Sequence, residues 1–204
     1  MKLFVLTPEL PDPREPAVLT ALFAAGLERC HVRKPSATRA ELADWLNALP
    51  AAFRARCVLH QHHDLVAELG LGGRHWRDLP STPLVPPGGH GLASRSCHDL
   101  EGLRAALGHY DSVFLGPVFP SISKPGHGPG VDFSPEQIAA RLATRSAVEH
   151  RTAVIALGGV TAENIPHCRA LGFDGVAVLG AIWQAADPVR AFVQLQTTLH
   201  RHAA

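Results

Sequence analysis

The sequence predicts an α/β protein: a closed (β/α)8 TIM barrel in one domain covering residues 1–204. Three observations carry this expectation. Eight short runs rich in apolar and β-branched residues recur along the chain. Ala/Leu-rich helical patterns separate most of them, and no linker, repeat or low-complexity tract interrupts the series. The runs are compact rather than strictly alternating, which suits parallel strands covered on both faces. Strand–helix alternation sustained in this way is the pattern of a barrel. An open doubly wound sheet is the competing architecture, and eight uninterrupted units favour closure over it.

The elements follow in chain order. Leu3–Leu6 is an apolar strand, ended by Pro8. A helix over Glu15–Ala25 is stopped by Gly26. Cys30–Arg33 is the second strand, and Arg39–Leu49 is a helix with Leu42, Leu46 and Leu49 at helical spacing. The third strand, Cys57–His60, leads to a short helix at Leu65–Leu69. Two weaker strands, Gly73–Trp76 and Gly91–Ser94, flank a Pro/Gly-rich loop at Thr82–Gly91. Asp99 caps a helix over Leu100–Leu107, and Gly108 ends it. Ser112–Leu115 is the sixth strand, followed by the long loop Gly116–Val131. Ser134-Pro135-Glu136 starts a helix over Pro135–Thr144. Ala153–Leu157 and Gly175–Val178 are the last strands. Thr161 opens a helix over Ala162–Leu171 that Gly172 stops, and Asp187-Pro188 opens the final helix to Leu199.

Composition excludes several classes. Of 204 residues 46% are hydrophobic and 18% charged, with a formal net charge of +1, so the chain has the apolar content for one substantial core. Disorder needs lower apolar content and higher net charge. Nucleic-acid binding needs a basic surplus or block, which is missing. No apolar stretch reaches the ~18 residues of a membrane helix, and the N-terminal run is too short for a signal peptide. Cys30, Cys57, Cys97 and Cys168 lack metal-ligand spacing, so they are expected to be reduced, mostly buried thiols of a cytoplasmic protein. The sequence leaves room for a homo-oligomer.

In a barrel the site forms at the C-terminal ends of the strands. Those ends are polar, Gly-rich and cationic with few carboxylates, which points to an anionic ligand. Gly158-Gly159 after the seventh strand and Leu179-Gly180 after the eighth both lead toward helices. Glycine lets main-chain N–H groups approach a phosphate, and barrels commonly hold phosphate at these two loops. Two tight turns with no ligand would have the same residues. Ser121, Ser123, Lys124 and His127 lie in the long loop, where one of only three lysines sits among Gly and Pro. Arg33 fits either a bidentate anion contact or a structural ion pair. His31, two residues earlier, fits either a proton carrier or an inner-layer histidine. The His60-Gln61-His62-His63 block suggests zinc, but further ligands are not evident, so no metal is expected.

Three segments resemble the thiamine phosphate synthase/TenI family over nearly the whole chain. They are Leu115-Gly116-Pro117-Val118-Phe119-Pro120-Ser121-Ile122-Ser123-Lys124, then Ala156-Leu157-Gly158-Gly159-Val160 with Asn164, then Gly175 to Ile182. The resemblance implies a barrel of thiamine biosynthesis that binds a thiazole phosphate. It also implies one of two activities. The synthase joins a hydroxymethylpyrimidine diphosphate to the thiazole phosphate with Mg²⁺. The TenI branch is a metal-free thiazole tautomerase that moves a proton to make carboxythiazole phosphate aromatic. The family's Gln-x-Arg-x-Lys run reads His31-Val32-Arg33-Lys34-Pro35 here, its Asn-Asp pair reads His60-Gln61, and its later Asp falls near Pro80. The synthase metal site is thus altered, with Asp64 and Asp78 as the nearby carboxylates. His31-Val32-Arg33, Leu79-Pro80-Ser81 and Arg95-Ser96-Cys97-His98 resemble the TenI branch, whereas Pro117 stands where that branch has its catalytic His. The leading expectation is therefore a tautomerase using no cofactor. His31, His98 or His127 would carry the proton, and Arg33, His60, Ser96, Ser121, Ser123 and Lys124 would contact the substrate. The synthase is the alternative, and a non-catalytic thiazole- or thiamine-phosphate binder the third reading.

Overall fold

The computed structural model describes residues 1–120, 128 and 134–201. Eight parallel strands close into a barrel in the order β1 to β8, with β8 pairing back onto β1. The strands are β1 Lys2–Leu6, β2 Arg29–Val32, β3 Cys57–Leu59, β4 Gly73–Trp76, β5 Leu92–Cys97, β6 Ser112–Leu115, β7 Ala153–Leu157 and β8 Gly175–Val178. The outer helices are α1 Glu15–Ala24, α2 Arg39–Asn47, α3 Ala51–Arg54, α4 Leu65–Glu68, α5 Leu100–Ala106, α6 Pro135–Ala143, α7 Ile165–Ala170, α8 Gly180–Trp183 and α9 Pro188–His200. The closed barrel is the expected architecture, and the open sheet is excluded.

Among the described residues, side-chain caps mark the starts of four of the nine helices. Asp99 accepts from Gly102 N, Ser134 and Gln137 form a reciprocal capping box, and Asp187 accepts from Arg190 N. Thr38 and Glu41 form a second box that opens α2. Gly26, Gly108 and Gly172 all have positive φ just beyond a helix, where a Cβ would be strained.

Several boundaries differ from expectation. The strand predicted over Gly91–Ser94 is Leu92–Cys97, because it pairs with both β4 and β6 over four residues each. Thr161 does not cap α7. Asn164 Oδ1 accepts from Thr161 N at 2.9 Å, and this turn delays the helix to Ile165. The helix predicted to Leu49 ends at Asn47, since Pro50 restarts the chain as the short α3. The turn after β8 opens a helix at Gly180, as its sequence implies, and that helix is the single turn of α8.

Two layers of core result. One lies between barrel and helices and includes Leu19, Leu46, Leu59, Leu103 and Phe192, each at most 1% exposed. The other fills the barrel itself with Phe4, Leu6, Phe114, Ala153, Ile155 and Ala177, all from β1, β6, β7 and β8. The β2–β5 side of the interior is polar instead: His31, His75 and Ser94 are all buried. Near the barrel top, Lys34 and Glu15 form a buried ion pair at 2.5 Å, and Lys34 Nζ also donates to Pro8 O at 2.8 Å. This pair ties the α1 start to the β2 exit. Among the described residues no helix is long and apolar enough to cross a membrane.

Candidate functional site

The C-terminal mouth of the barrel holds a cavity of about 320 Å³. That volume suits a single small ligand. Strand ends or loops from β1, β2, β3, β4, β5, β6, β7 and β8 all reach its wall. Its floor is apolar, formed by Leu6, Phe114 and Ala177.

Gly158, Gly159, Leu179 and Gly180 share this one cavity, so the two turns face a common space. The first N–H groups of α8, at Gly180 and Ala181, have no intrahelical acceptor by helix geometry. The glycines at the β7 turn have a further reason to be glycine. Gly158 and Gly159 have φ of +95° and +63°. A Cβ on Gly158 would lie 2.7 Å from Pro117 Cα, and one on Gly159 would lie 2.3 Å from Pro120 O. The missing side chains therefore admit the β6 loop against the β7 turn. Val118 N and Phe119 N, donating to Leu157 O and Gly158 O, hold that contact. The Gly116–Pro117 peptide in the same loop is cis.

Arg33 reaches the cavity wall and forms an ion pair with Glu9, which lies on the wall too. Thr7 Oγ1 accepts from Arg33 N at 2.9 Å and sets the β2 exit. Arg77, also on the wall, has no carboxylate partner among the described residues. Asp78 is committed on both oxygens: Oδ1 accepts from Arg95 at 2.9 Å, and Oδ2 accepts from His98 N at 3.1 Å. Asp64 is exposed, outside the cavity, and paired with Arg39 at 2.5 Å.

Mg²⁺ requires oxygen ligands in octahedral geometry. The described carboxylates do not fit it. Glu9 and Asp78 each serve a guanidinium, and Asp64 is elsewhere. The only described cluster of metal-type side chains consists of imidazoles.

The histidines divide into two settings. His98 lines the cavity, and its Nδ1–H donates to Gly116 O at 2.7 Å. In the neutral ring that bond leaves the lone pair on Nε2. His31 is not on the cavity wall. It is 1% exposed inside the barrel, with its ring 4.5 Å from Phe114 and its Nδ1 3.2 Å from His60 Nε2. Burial, with a smaller contribution from Arg29, pushes the His31 pKa down to about 3, so the ring stays neutral. The inner-layer reading of His31 is thus what its position matches. His60 is 8% exposed, touches the cavity and stacks on His75 at 4.0 Å. Burial lowers the pKa of both these rings well below the ordinary value. Ser96 lines the cavity and bonds His75 Nε2 at 2.9 Å. Ser121, Ser123, Lys124 and His127 lie outside the described residues.

Glu9, Arg77 and Phe114 were not singled out from the sequence. Arg77 directly follows β4, so the strand-end rule alone would have found it. Glu9 would not have been found, because it sits three residues past β1 and is recognised only by its pairing with Arg33. The four thiols are free and buried, and burial raises those of Cys57, Cys97 and Cys168 to about 12, which suits packing and not nucleophilic work.

Comparison with known proteins agrees with this arrangement. A family model described as thiamine monophosphate synthase matches residues 3–182. A Geobacter sulfurreducens relative is 32% identical over 179 residues, covering 84% of this chain and 81% of its own length. The thiamine-phosphate synthase of Bordetella pertussis is 31% identical over 196 residues, covering 91% and 88%. The crystal structure of a thiamine phosphate pyrophosphorylase from Bacteroides thetaiotaomicron superposes with a TM-score of 0.79 at 27% identity, covering 98% of both chains. Barrel, glycine turns and matched span converge, and the chain belongs to the thiamine monophosphate synthase family.

Proposed function

We propose that this barrel binds a thiazole phosphate at its mouth and catalyses a metal-independent proton shift on the thiazole. One observation carries the reading: the cavity joins the glycine turns of the last two units to Arg33, Arg77 and His98, while its described carboxylates are already engaged. The phosphate lies against Gly159 and the start of α8, where main-chain N–H groups and the helix end favour an anion. Arg33 or Arg77 holds a ring carboxylate. His98 Nε2 takes a proton from the ring and returns it at the position that leaves the ring aromatic, so no net proton is consumed. The Gly116 carbonyl fixes the imidazole, and Asp78 Oδ2 holds the His98 backbone N–H.

Condensation of a pyrimidine diphosphate with the thiazole phosphate is the second reading. The relatives, which are named as thiamine-phosphate synthases, favour it over the first, as does Pro117 after β6. A diphosphate leaving group would draw on Arg33 and Arg77, and no step is assigned to Mg²⁺ with this donor set.

One assay series separates the two. Carboxythiazole phosphate tautomer is supplied in the presence of a chelator, and separately pyrimidine diphosphate plus thiazole phosphate is supplied over a Mg²⁺ titration. The proposal expects turnover in the first, lowered ~10²–10⁴-fold by His98→Asn. Thiamine phosphate and pyrophosphate formation in the second, with none in the first, would replace it by the synthase. Binding of thiazole phosphate without turnover in either would leave only a binding protein.

A further inference from the structure

We propose that His31, His60 and His75 form a transition-metal site, of the kind that takes Zn²⁺, beneath the cavity and open to it beside His60. The three residues come from β2, the end of β3, and β4, which are consecutive in the barrel. One nitrogen from each lies within 4.8 Å of the other two. His31 Nδ1 and His60 Nε2 are already 3.2 Å apart. Two ligands of a tetrahedral zinc at ~2.0–2.1 Å would be separated by about 3.3 Å. The metal would replace the single proton shared by that pair.

His75 has the support expected of a metal-ligating imidazole. Ser94 Oγ donates to Arg74 O at 3.4 Å, so it accepts from His75 Nδ1–H at 2.9 Å. His75 Nε2 then carries the lone pair, held at 2.9 Å by the Ser96 hydroxyl. A hydrogen bond on the remote nitrogen is how proteins orient such ligands. Imidazole donors select zinc-like ions over Mg²⁺. His60 and His75 now lie stacked with an interplanar angle of 22°, so closing on one ion turns one of these rings. The competing account is a hydrogen-bonded layer of neutral histidines. It explains the serine contacts but not why three imidazoles meet where barrels ordinarily place branched aliphatic side chains. Three protein ligands with a fourth position toward a cavity is the arrangement of catalytic zinc centres.

This inference does not rest on the reaction proposed above, and its test uses the metal alone. The full-length protein is stripped with a chelator and titrated with Zn²⁺ against a chromophoric competitor. One equivalent should bind at submicromolar affinity. His60→Ala and His75→Ala should each weaken it about 100-fold or more, and Ser94→Ala about 10–100-fold. His109→Ala and His150→Ala, on the surface, should leave it unchanged. Co²⁺ should give the intense visible bands of a four-coordinate ion, lost in His75→Gln, a variant that keeps hydrogen-bonding capacity if His75→Ala does not fold. Absence of stoichiometric uptake, or uptake indifferent to His60→Ala and His75→Gln, overturns the site.

Discussion

Replacing Gly159 with alanine tests the contact between the β6 loop and the β7 turn. The added Cβ would stand 2.3 Å from Pro120 O and 2.7 Å from Phe119 Cβ. Backbone is one of the two obstacles, so no simple rotamer change relieves it. The φ of +63° adds a penalty for any L side chain. That penalty is roughly 1–2 kcal/mol, and overpacking of this kind costs roughly 1–3 kcal/mol. Together they predict a loss of about 2–5 kcal/mol, or roughly 4–20 °C in Tm for a chain of this size. Gly88→Ala is the matched control: its Cβ meets nothing within 4 Å, and the change should stay within about 0.5 kcal/mol. Urea unfolding of the three proteins, with inorganic phosphate binding measured by calorimetry, reads both effects. Phosphate affinity should fall in Gly159→Ala, because the turn must move to relieve the clash. A Gly159→Ala protein as stable as Gly88→Ala would refute the packing argument and leave close anion approach as the sole reason for the glycine.

Three further outcomes are expected. Lys34→Met leaves the Glu15 carboxylate buried without its ammonium, and breaking such a pair costs about 3–5 kcal/mol, read by denaturant unfolding. Glu9→Gln removes the charge that pairs with Arg33 and should tighten pyrophosphate binding roughly 2–5-fold at low salt, since a half-exposed pair is worth at most about 1 kcal/mol; unchanged or weaker binding would mean Arg33 does not meet the anion. In the metal-free protein, stability should fall on acidification. His31 has a folded pKa of about 3 against an ordinary 6.5, so between these values the unfolded chain takes up a proton that the folded chain refuses. Stability is full above about pH 6.5 and should drop by about 2 kcal/mol from pH 7 to pH 5 through His31 alone. His60 and His75 shift the same way and deepen the drop, so stability that is flat over that range would contradict the burial of the cluster.

Much of the barrel was legible locally. The β-branched runs, the Asp99, Ser134 and Asp187 caps, and the stops at Gly26, Gly108 and Gly172 are chemistry between residues a few positions apart. Thr161 failed as a cap for the same kind of reason, because Asn164 takes the local hydrogen bond first. The glycine-lined wall of the cavity was legible because strand ends of a barrel share one face, which brought Gly159 and Gly180 together without knowledge of any pairing.

The pairings themselves depend on register between strands, which no run of sequence encodes by itself. Arg33 is equally suited to an anion or to a carboxylate, and only the closed barrel places Glu9 beside it. The histidine block at residues 60–63 suggested ligands from neighbouring positions, yet side chains adjacent in the chain point apart. The fold instead takes His60 alone and joins it to His31 and His75, which are 29 and 15 residues distant in sequence and close only because β2, β3 and β4 lie side by side.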